Sequence, residues 1–155
     1  MWTRIVKHAP SALVLTTLLL SSQSAVAWSS DCLLSERASV ISHQAADFET
    51  IIFYDRSGKL DFMGFYLEPD TQDSRYATQE ITVTIDSEAL DITGCKTSIN
   101  GTNSLLCSVD RDSNAWLLRR LDTLMRGGKE LRIAGAGSAS LIGYTASAEH
   151  SAQCR

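Results

Sequence analysis

The chain has 155 residues, of which 18 are acidic, 14 are basic and four are cysteines. Its net charge is −4, and becomes −6 once a predicted export signal with two basic and no acidic residues is removed. An acidic surface argues against nucleic acid and anionic lipid as partners, because phosphate binding needs basic residues.

The first 27 residues predict that export signal. Arg4 and Lys7 give a charged start, residues 12–20 are an apolar run, and Ala25-Val26-Ala27 is a small-x-small cleavage site. The run is shorter than the roughly 20 apolar residues of a membrane span. We expect cleavage after Ala27 and a periplasmic or secreted protein that does not span a membrane. Residues 28–155 would then be a single disulfide-bonded, β-rich domain.

The N-terminal half of the remaining chain is predicted to consist mainly of strands. Residues 28–46 predict irregular structure or one short strand. Residues 48–54 and 60–67 are rich in β-branched and aromatic side chains, which predicts a hairpin. Phe62 and Tyr66 would lie on one face of its second strand, and further bulky residues on the other. We expect this strand to be buried between two layers, and the alternative is that one face is a contact surface.

An acidic loop follows the hairpin. Pro69 ends the strand, and residues 70–78 are polar. Glu68, Asp70 and Asp73 lie in this loop and form a candidate contact surface. A weak cation site is the alternative, but composition favours a solvated loop.

Two cysteines predict a clamped hairpin. Ile81, Val83 and Ile85 first alternate with threonines, which predicts a half-buried strand. Residues 89–97 would lead into the hairpin and residues 105–109 leave it. Cys95 and Cys107 lie six residues on either side of Gly101, and Asn100-Gly101 is a strong turn signal. A loop at 100–102 would place both cysteines directly opposite each other, close enough for a disulfide.

All four cysteines follow the predicted signal, and an even number in an exported chain indicates two disulfides. The symmetry of the hairpin favours Cys95–Cys107, which leaves Cys32–Cys154 to join the two ends. A zinc site is the alternative, and it is disfavoured because no Cys-x-x-Cys pair is present. We expect no bound metal and no cofactor.

One amphipathic helix is predicted over about residues 113–126. Asp110, Asp112 and Ser113 offer capping groups at its start, and leucines and Met125 recur on one face. Gly127-Gly128 would end it with a left-handed cap. Trp116 lies off the apolar arc, so it either packs the helix start against a strand or is an exposed contact residue.

The C-terminal residues predict a last strand pair and a short helix. Leu131 and Ile133 mark one strand, residues 135–138 a turn, residues 141–144 the returning strand, and residues 146–153 a helix. Strands dominate the chain. The fold class is therefore mainly β, a small sandwich-like domain with an amphipathic helix packed on it.

Catalytic patterns are missing from the sequence. It has no Gly-x-Ser-x-Gly elbow and no dinucleotide fingerprint. Residues 110–121 begin like a calcium loop but lack its glycine and glutamate. His43 and His150 are interpreted as surface histidines. We expect no catalytic residues and no enzymatic activity.

The C-terminal half resembles the invasion-associated locus B family of exported bacterial proteins. The matching features are Gly94-Cys95, the helical segment 117–125, the stretch 127–133 and the ending 140–146. The resemblance covers about a third of the chain. It implies a β-sandwich in the bacterial envelope, with a role in host interaction or envelope maintenance, and it supplies no catalytic residue.

These observations lead to two functional hypotheses. The first is a small exported binding module whose partner is a protein or another envelope component. The second is a periplasmic inhibitor of a secreted hydrolase such as lysozyme, because an acidic protein attracts a basic enzyme.

Overall fold

The structure is a computed structural model that describes residues 28–33, 38–45, 47–68, 80–97 and 104–154. The predicted export signal, Asp70, Asp73 and the predicted turn at 100–102 lie outside these residues. The strands are β1 (Ser29–Leu33), β2 (Ala38–Gln44), β3 (Phe48–Tyr54), β4 (Leu60–Leu67), β5 (Glu80–Ile85), β6 (Glu88–Thr93), β7 (Lys96–Thr97), β8 (Leu105–Asp110), β9 (Glu130–Ile133) and β10 (Gly137–Ser140). The helices are α1 (Arg111–Gly127) and α2 (Tyr144–Ala152).

The strands form two antiparallel sheets. The larger sheet has the order β1-β2-β3-β4-β8-β7, and the smaller has the order β10-β9-β5-β6. Apolar side chains from both sheets and both helices join in one core cluster. The predicted fold class, a mainly β and sandwich-like domain, is confirmed. In the part of the chain described here, no helix is long and apolar enough to cross a membrane.

The hairpin predicted over residues 48–67 is present as β3 and β4. Its second strand buries one face completely, with Met63, Phe65 and Leu67 in the core. Phe62 and Tyr66 on the other face are only half-buried. The ring of Phe62 packs against Phe53 at 5.8 Å and fills the space beside Gly64 where a side chain would stand. β4 is therefore buried on one face and half-buried on the other, so it is not fully enclosed between two layers as was expected.

β1 is the short strand that was one of the two expectations for residues 28–46, whereas β2 was not expected. β2 pairs with both β1 and β3, and Ile41 opposite Ile52 is fully buried. The buried positions of β2 also include Ser39 and His43. Because these residues are polar, the alternation of apolar and polar residues that marks a strand is not visible in the sequence. The prediction of a surface His43 was wrong: its side chain is 5% exposed, and its ring lies 4.8 Å from that of Trp28.

The chain crosses from one sheet to the other between β6 and β7. A continuous approach over residues 89–97 was expected, but Gly94, with φ +81°, ends it. β6 then belongs to the smaller sheet and β7 to the larger. The register of Lys96 with Leu106 places Cys95 opposite Cys107, and the two Cα atoms of this disulfide are 4.1 Å apart. The predicted pairing is therefore present, and it joins the crossing to β8.

α1 begins two residues before the predicted helix and ends one residue after it. Asp110 is the N-cap, and its Oδ1 accepts from the backbone N–H of Ser113 at 2.7 Å. Arg111 holds the helix start on the β3–β4 turn, since its guanidinium contacts the carboxylates of Asp55 and Asp61 at 2.7 and 2.6 Å. The predicted apolar face is buried, with Leu117, Leu118, Leu121 and Met125 in the core.

The end of α1 differs from the cap predicted for Gly127-Gly128. Gly128 is the C-cap with φ −85° and ψ 171°, which is extended rather than left-handed. A side chain at Gly128 would meet Ile85 Cγ2 at 2.7 Å and the carbonyl oxygen of Leu124 at 2.8 Å. Glycine is therefore required here by close packing and not by a positive φ.

α2 occupies residues that were partly predicted as a strand. The strand expected over 141–144 was wrong, because Gly143 turns the chain with φ +89° and α2 begins at Tyr144. Tyr144 is fully buried, with its ring at 5.0 Å from that of Trp28. The second disulfide, Cys32–Cys154, has the predicted pairing. It joins edge strand β1 to the position two residues after α2, with Cα atoms 5.6 Å apart.

Candidate functional site

The structure separates the residues that the sequence proposed as a contact surface. Glu68 is exposed and directly follows β4, whereas Trp116 belongs to α1, which follows β8. β4 and β8 are antiparallel, so the end of β4 and the end of β8 lie at opposite ends of their ladder. The five residue steps between these ends correspond to about 17 Å. Two different surfaces must therefore be considered.

Trp116 is the more informative of these positions. Its side chain is 64% exposed, so the prediction that it packs the helix start against a strand was wrong and the exposed alternative holds. Arg120, one turn further on, donates to both carboxylate oxygens of Glu88 on β6, at 2.8 and 2.6 Å. Neighbours at i and i+4 share a helix face. The indole therefore lies on the side of α1 that faces β6.

The start of α1 has two successive caps. Asn114 has non-helical backbone angles, φ −155° and ψ 73°, and its Oδ1 accepts from the backbone N–H of Leu117 at 3.0 Å. The first turn, capped by Asp110, is thus separated from the long part of the helix that begins after Asn114. The N–H of Ser113 holds the pKa of the Asp110 carboxyl below its usual range. This kink leaves room between α1 and the strands beside it.

A cleft of about 170 Å³ occupies that room. Three buried apolar side chains line it, together with four polar side chains that carry hydroxyl or amide groups. The apolar residues are Ile92, Val109 and Leu117, and the polar residues are Thr93, Ser108, Ser113 and Asn114. Trp116 is not itself a lining residue, but it lies in the chain between the lining residues Asn114 and Leu117. The segment of α1 that lines the cleft therefore also carries the exposed indole.

The crossing between the sheets explains why the cleft is open at this place. β7 is two residues long and pairs with β8 only at Leu105 and Leu106, so in the described part of the chain no strand covers the rest of that edge. Cys107 directly precedes the lining residue Ser108, and Cys95 follows Thr93 by two positions. The disulfide between these cysteines therefore fixes the β6 wall of the cleft relative to the β8 wall.

Sequence reasoning found Trp116 but missed the cleft beside it. The polar lining residues come from β6 in the smaller sheet and from β8 and α1, which follow the crossing between the sheets. Two local signals were available. Gly94 interrupts the strand pattern before Cys95, and Asn114 is a second capping residue only four positions after Asp110.

A partly buried polar network holds α1 against β3 and α2. Arg126 Nε donates to Asp122 at 2.9 Å, and the hydroxyl of Tyr144 donates to the other carboxylate oxygen at 2.6 Å. Arg126 also contacts the hydroxyl of Tyr54 at 3.3 Å. Burial, and then the negative charge of Asp122, raise the pKa values of both tyrosines, that of Tyr144 well above its usual value. The side chains of this network bond to one another across α1, β3 and α2, which indicates a structural role.

Within the described residues, one group of side chains has the composition of a metal site. Cys32, His150 and Cys154 each offer a ligand atom, and these atoms lie within 4.8 Å of one another. In this structure the two cysteines form a disulfide. His150 is exposed, as the sequence predicted, and its Nδ1 lies 2.9 Å from the hydroxyl of Ser30.

Comparison with known proteins gives no relative for this chain: no protein-family model, no curated protein and no solved structure matches it.

Proposed function

We propose that this chain is an exported bacterial binding domain that holds an envelope component at Trp116 and the adjacent cleft. The observation that carries the proposal is the exposed indole, 64% accessible, on the segment of α1 that lines an open cleft of about 170 Å³. Most large apolar side chains in the described part of the chain are buried, and only Trp116 and Ile142 are strongly exposed there. An exposed tryptophan next to a cleft is a frequent anchor of binding surfaces.

The lining of the cleft supports an uncharged ligand group. None of its seven lining residues, all from the described part of the chain, carries an ionisable side chain. Hydroxyl and amide groups offer both donors and acceptors, and the apolar floor accepts the less polar face of a ring or chain. Glycan strands and peptides of the cell envelope present such groups. The same lining favours binding over acid–base catalysis, which needs a positioned titratable group.

Location and family resemblance support the same proposal. Two disulfides fit an oxidising periplasmic or extracellular compartment. The predicted export signal over residues 1–27 would deliver the chain there. The resemblance to the invasion-associated locus B family would place its role in host interaction or envelope maintenance, as a binding protein without catalytic residues.

The experiment is a quantitative pull-down from envelope extract with the exported protein as bait. Trp116→Ala is compared with Ile142→Ala, which removes the other strongly exposed apolar side chain of the described residues, 83% accessible. We expect the Trp116 variant to lose at least about 1 kcal/mol of binding free energy, roughly a fivefold loss of captured partner. The control should capture as much as the wild type. Equal capture by both variants, or no specific partner at all, would contradict the proposal.

The inhibitor hypothesis depends on a different surface and can be separated from this one. Its support is the acidic net charge and the exposed Glu68 at the start of the acidic loop. A cell-wall lysis assay with several lysozymes tests it, with Glu68→Gln as the variant. Slower lysis with the wild type, relieved by the Glu68 variant and not by Trp116→Ala, would favour inhibition. Unchanged lysis rates would remove the hypothesis.

A further inference from the structure

The disulfide that joins the two ends of the domain lies beside a histidine. Cys32 belongs to β1, at the edge of the larger sheet opposite to β7 and the cleft. His150 and Cys154 are four residues apart at the end of α2, so they lie on the same side of the helix end. The ligand atoms of all three residues lie within 4.8 Å of one another. The corner formed by Cys32, His150 and Cys154 is called the terminal corner below.

We propose that the terminal corner is a redox-controlled site for a zinc-like divalent metal ion. In the oxidised protein the disulfide closes the corner. After reduction by a dithiol, the two thiolates and the imidazole of His150 bind the metal ion. This role is independent of the proposed binding function, because the terminal corner and the cleft lie at opposite edges of the sheet.

The chemical balance of this exchange is simple. A dithiol reductant transfers two electrons to the Cys32–Cys154 disulfide, and it becomes a cyclic disulfide itself. The protein gains two thiols. Binding of one Zn²⁺ then releases two protons from these thiols, and neutral His150 contributes a nitrogen without losing a proton. Three protein ligands leave the fourth tetrahedral position for water.

The distances suit such a metal ion with small adjustments. Zn–S bonds of about 2.3 Å and Zn–N bonds of about 2.0 Å place tetrahedral ligand atoms roughly 3.5–3.8 Å apart. The three ligand atoms already lie within 4.8 Å of one another, and the cysteine Cα atoms are 5.6 Å apart. The hydroxyl of Ser30 lies 2.9 Å from His150 Nδ1 and orients the ring. Such an outer contact is typical of metal-binding histidines.

Exposure makes this disulfide the first to be reduced. Cys32 is exposed and Cys154 is half-buried, whereas Cys95 and Cys107 are 6% and 0% exposed. Thiol–disulfide exchange requires access to a sulfur atom. A mild dithiol should therefore open the terminal corner while the disulfide beside the cleft remains closed.

The sequence did not reveal this group, because zinc was disfavoured by the lack of a Cys-x-x-Cys pair. His150 and Cys154 have helical i, i+4 spacing, but Cys32 lies 122 residues before Cys154. Only the packing of α2 on β1 and β2 brings the third ligand to the other two.

The test is a cobalt titration of the full exported protein. The protein is reduced with a mild dithiol without oxygen, the reductant is removed, and Co²⁺ is added as a spectroscopic substitute for zinc. We expect one Co²⁺ per chain, with a thiolate-to-metal charge-transfer band and the visible bands of a tetrahedral site. Zn²⁺ should displace it. The unreduced protein should give none of these bands.

His150→Ala is the decisive variant, because it leaves the disulfide in place. Loss of this ligand should weaken Co²⁺ binding at least about tenfold. Removing a residue that only hydrogen-bonds to a metal ligand already lowers metal affinity by about 10- to 100-fold. Glu149→Ala, a neighbouring exposed change, should bind like the wild type. Cys32→Ser should abolish the charge-transfer band.

A second measurement keeps the test decisive if Cys32→Ser fails to fold. Zn²⁺ should slow alkylation of Cys32 and Cys154 in the reduced wild type, as mapped by mass spectrometry, and should not slow it in His150→Ala. Equal Co²⁺ affinity of the wild type and His150→Ala, or no thiolate band in the reduced wild type, would overturn the proposal.

Discussion

Gly127 and Gly128 allow two alanine substitutions, one residue apart, with opposite expected effects on stability. A Cβ at Gly127 would meet nothing within 4 Å, and its backbone is helical. Alanine loses less conformational entropy than glycine in a helix, by about 0.5–1 kcal/mol. Because Gly127 lies in the last turn, we expect Gly127→Ala to stabilise the protein by about 0.5 kcal/mol, the lower end of that range.

Gly128→Ala should destabilise the protein. Its Cβ would lie 2.7 Å from Ile85 Cγ2, 2.8 Å from the Leu124 carbonyl oxygen and 3.1 Å from Leu141 Cδ1. The Leu124 carbonyl cannot retreat freely, because it accepts the hydrogen bond of the Gly128 N–H at 2.7 Å. Overpacking of this kind costs about 1–3 kcal/mol. The two variants should therefore differ by roughly 1.5–3.5 kcal/mol.

Urea denaturation followed by circular dichroism measures this difference, with both disulfides intact. Equal m values would show that the denatured states are comparable, so that the midpoints report stability. A Gly128→Ala midpoint at or above that of the wild type would refute the close-packing argument. A Gly127→Ala variant that loses more stability than Gly128→Ala would instead favour the left-handed cap that the sequence indicated.

The remaining predictions concern the disulfide beside the cleft, a buried tyrosine and the first helix cap. Replacing Cys95 and Cys107 together by alanine should cost about 3 kcal/mol for a thirteen-residue loop, measured by urea denaturation; peptide mapping that finds either cysteine linked to another position would contradict the pairing. Stability should fall as pH rises above about 10, because the raised pKa of buried Tyr144 means that the folded state retains a proton that the unfolded state releases. In Tyr144→Phe this loss should be smaller, and an unchanged slope in denaturation at pH 9–11 would exclude Tyr144 as its source. Asp110→Ala removes the cap on Ser113 and should cost about 1 kcal/mol, and a thermal shift no larger than that of a surface substitution would count against it.

Elements with a regular local pattern could be predicted from the sequence. The β3–β4 hairpin, the alternating strand β5 and the helix α1 each combine an apolar period with clear breakers. The cysteine pairing also followed from local symmetry, because six residues on each side of Gly101 leave one natural register. In these segments local preference and the tertiary fold agree.

The predictions that failed concern segments whose conformation depends on contacts with the rest of the fold. His43 is polar, yet it is buried against Trp28, so β2 did not look like a strand. Ile142 and Tyr144 suggested a strand, but the positive φ of Gly143 starts a helix instead. The cleft could not be predicted, because Thr93 of β6 and Asn114 of α1 line the same cleft only in the folded chain, after it has crossed from one sheet to the other.

Tryptophan fluorescence tests the central claim, that Trp116 belongs to the binding surface, most directly. Cleavage of the predicted export signal after Ala27 would leave two tryptophans, Trp28 at 6% exposure and Trp116 at 64%. Acrylamide should therefore quench mainly Trp116 in the free protein, and Trp116→Phe supplies the signal of Trp28 alone. Adding the envelope fraction recovered by the pull-down should protect the wild-type emission from quenching and leave the Trp116→Phe emission unchanged. Unchanged quenching of the wild type while the partner is bound would show that the partner lies elsewhere on the protein.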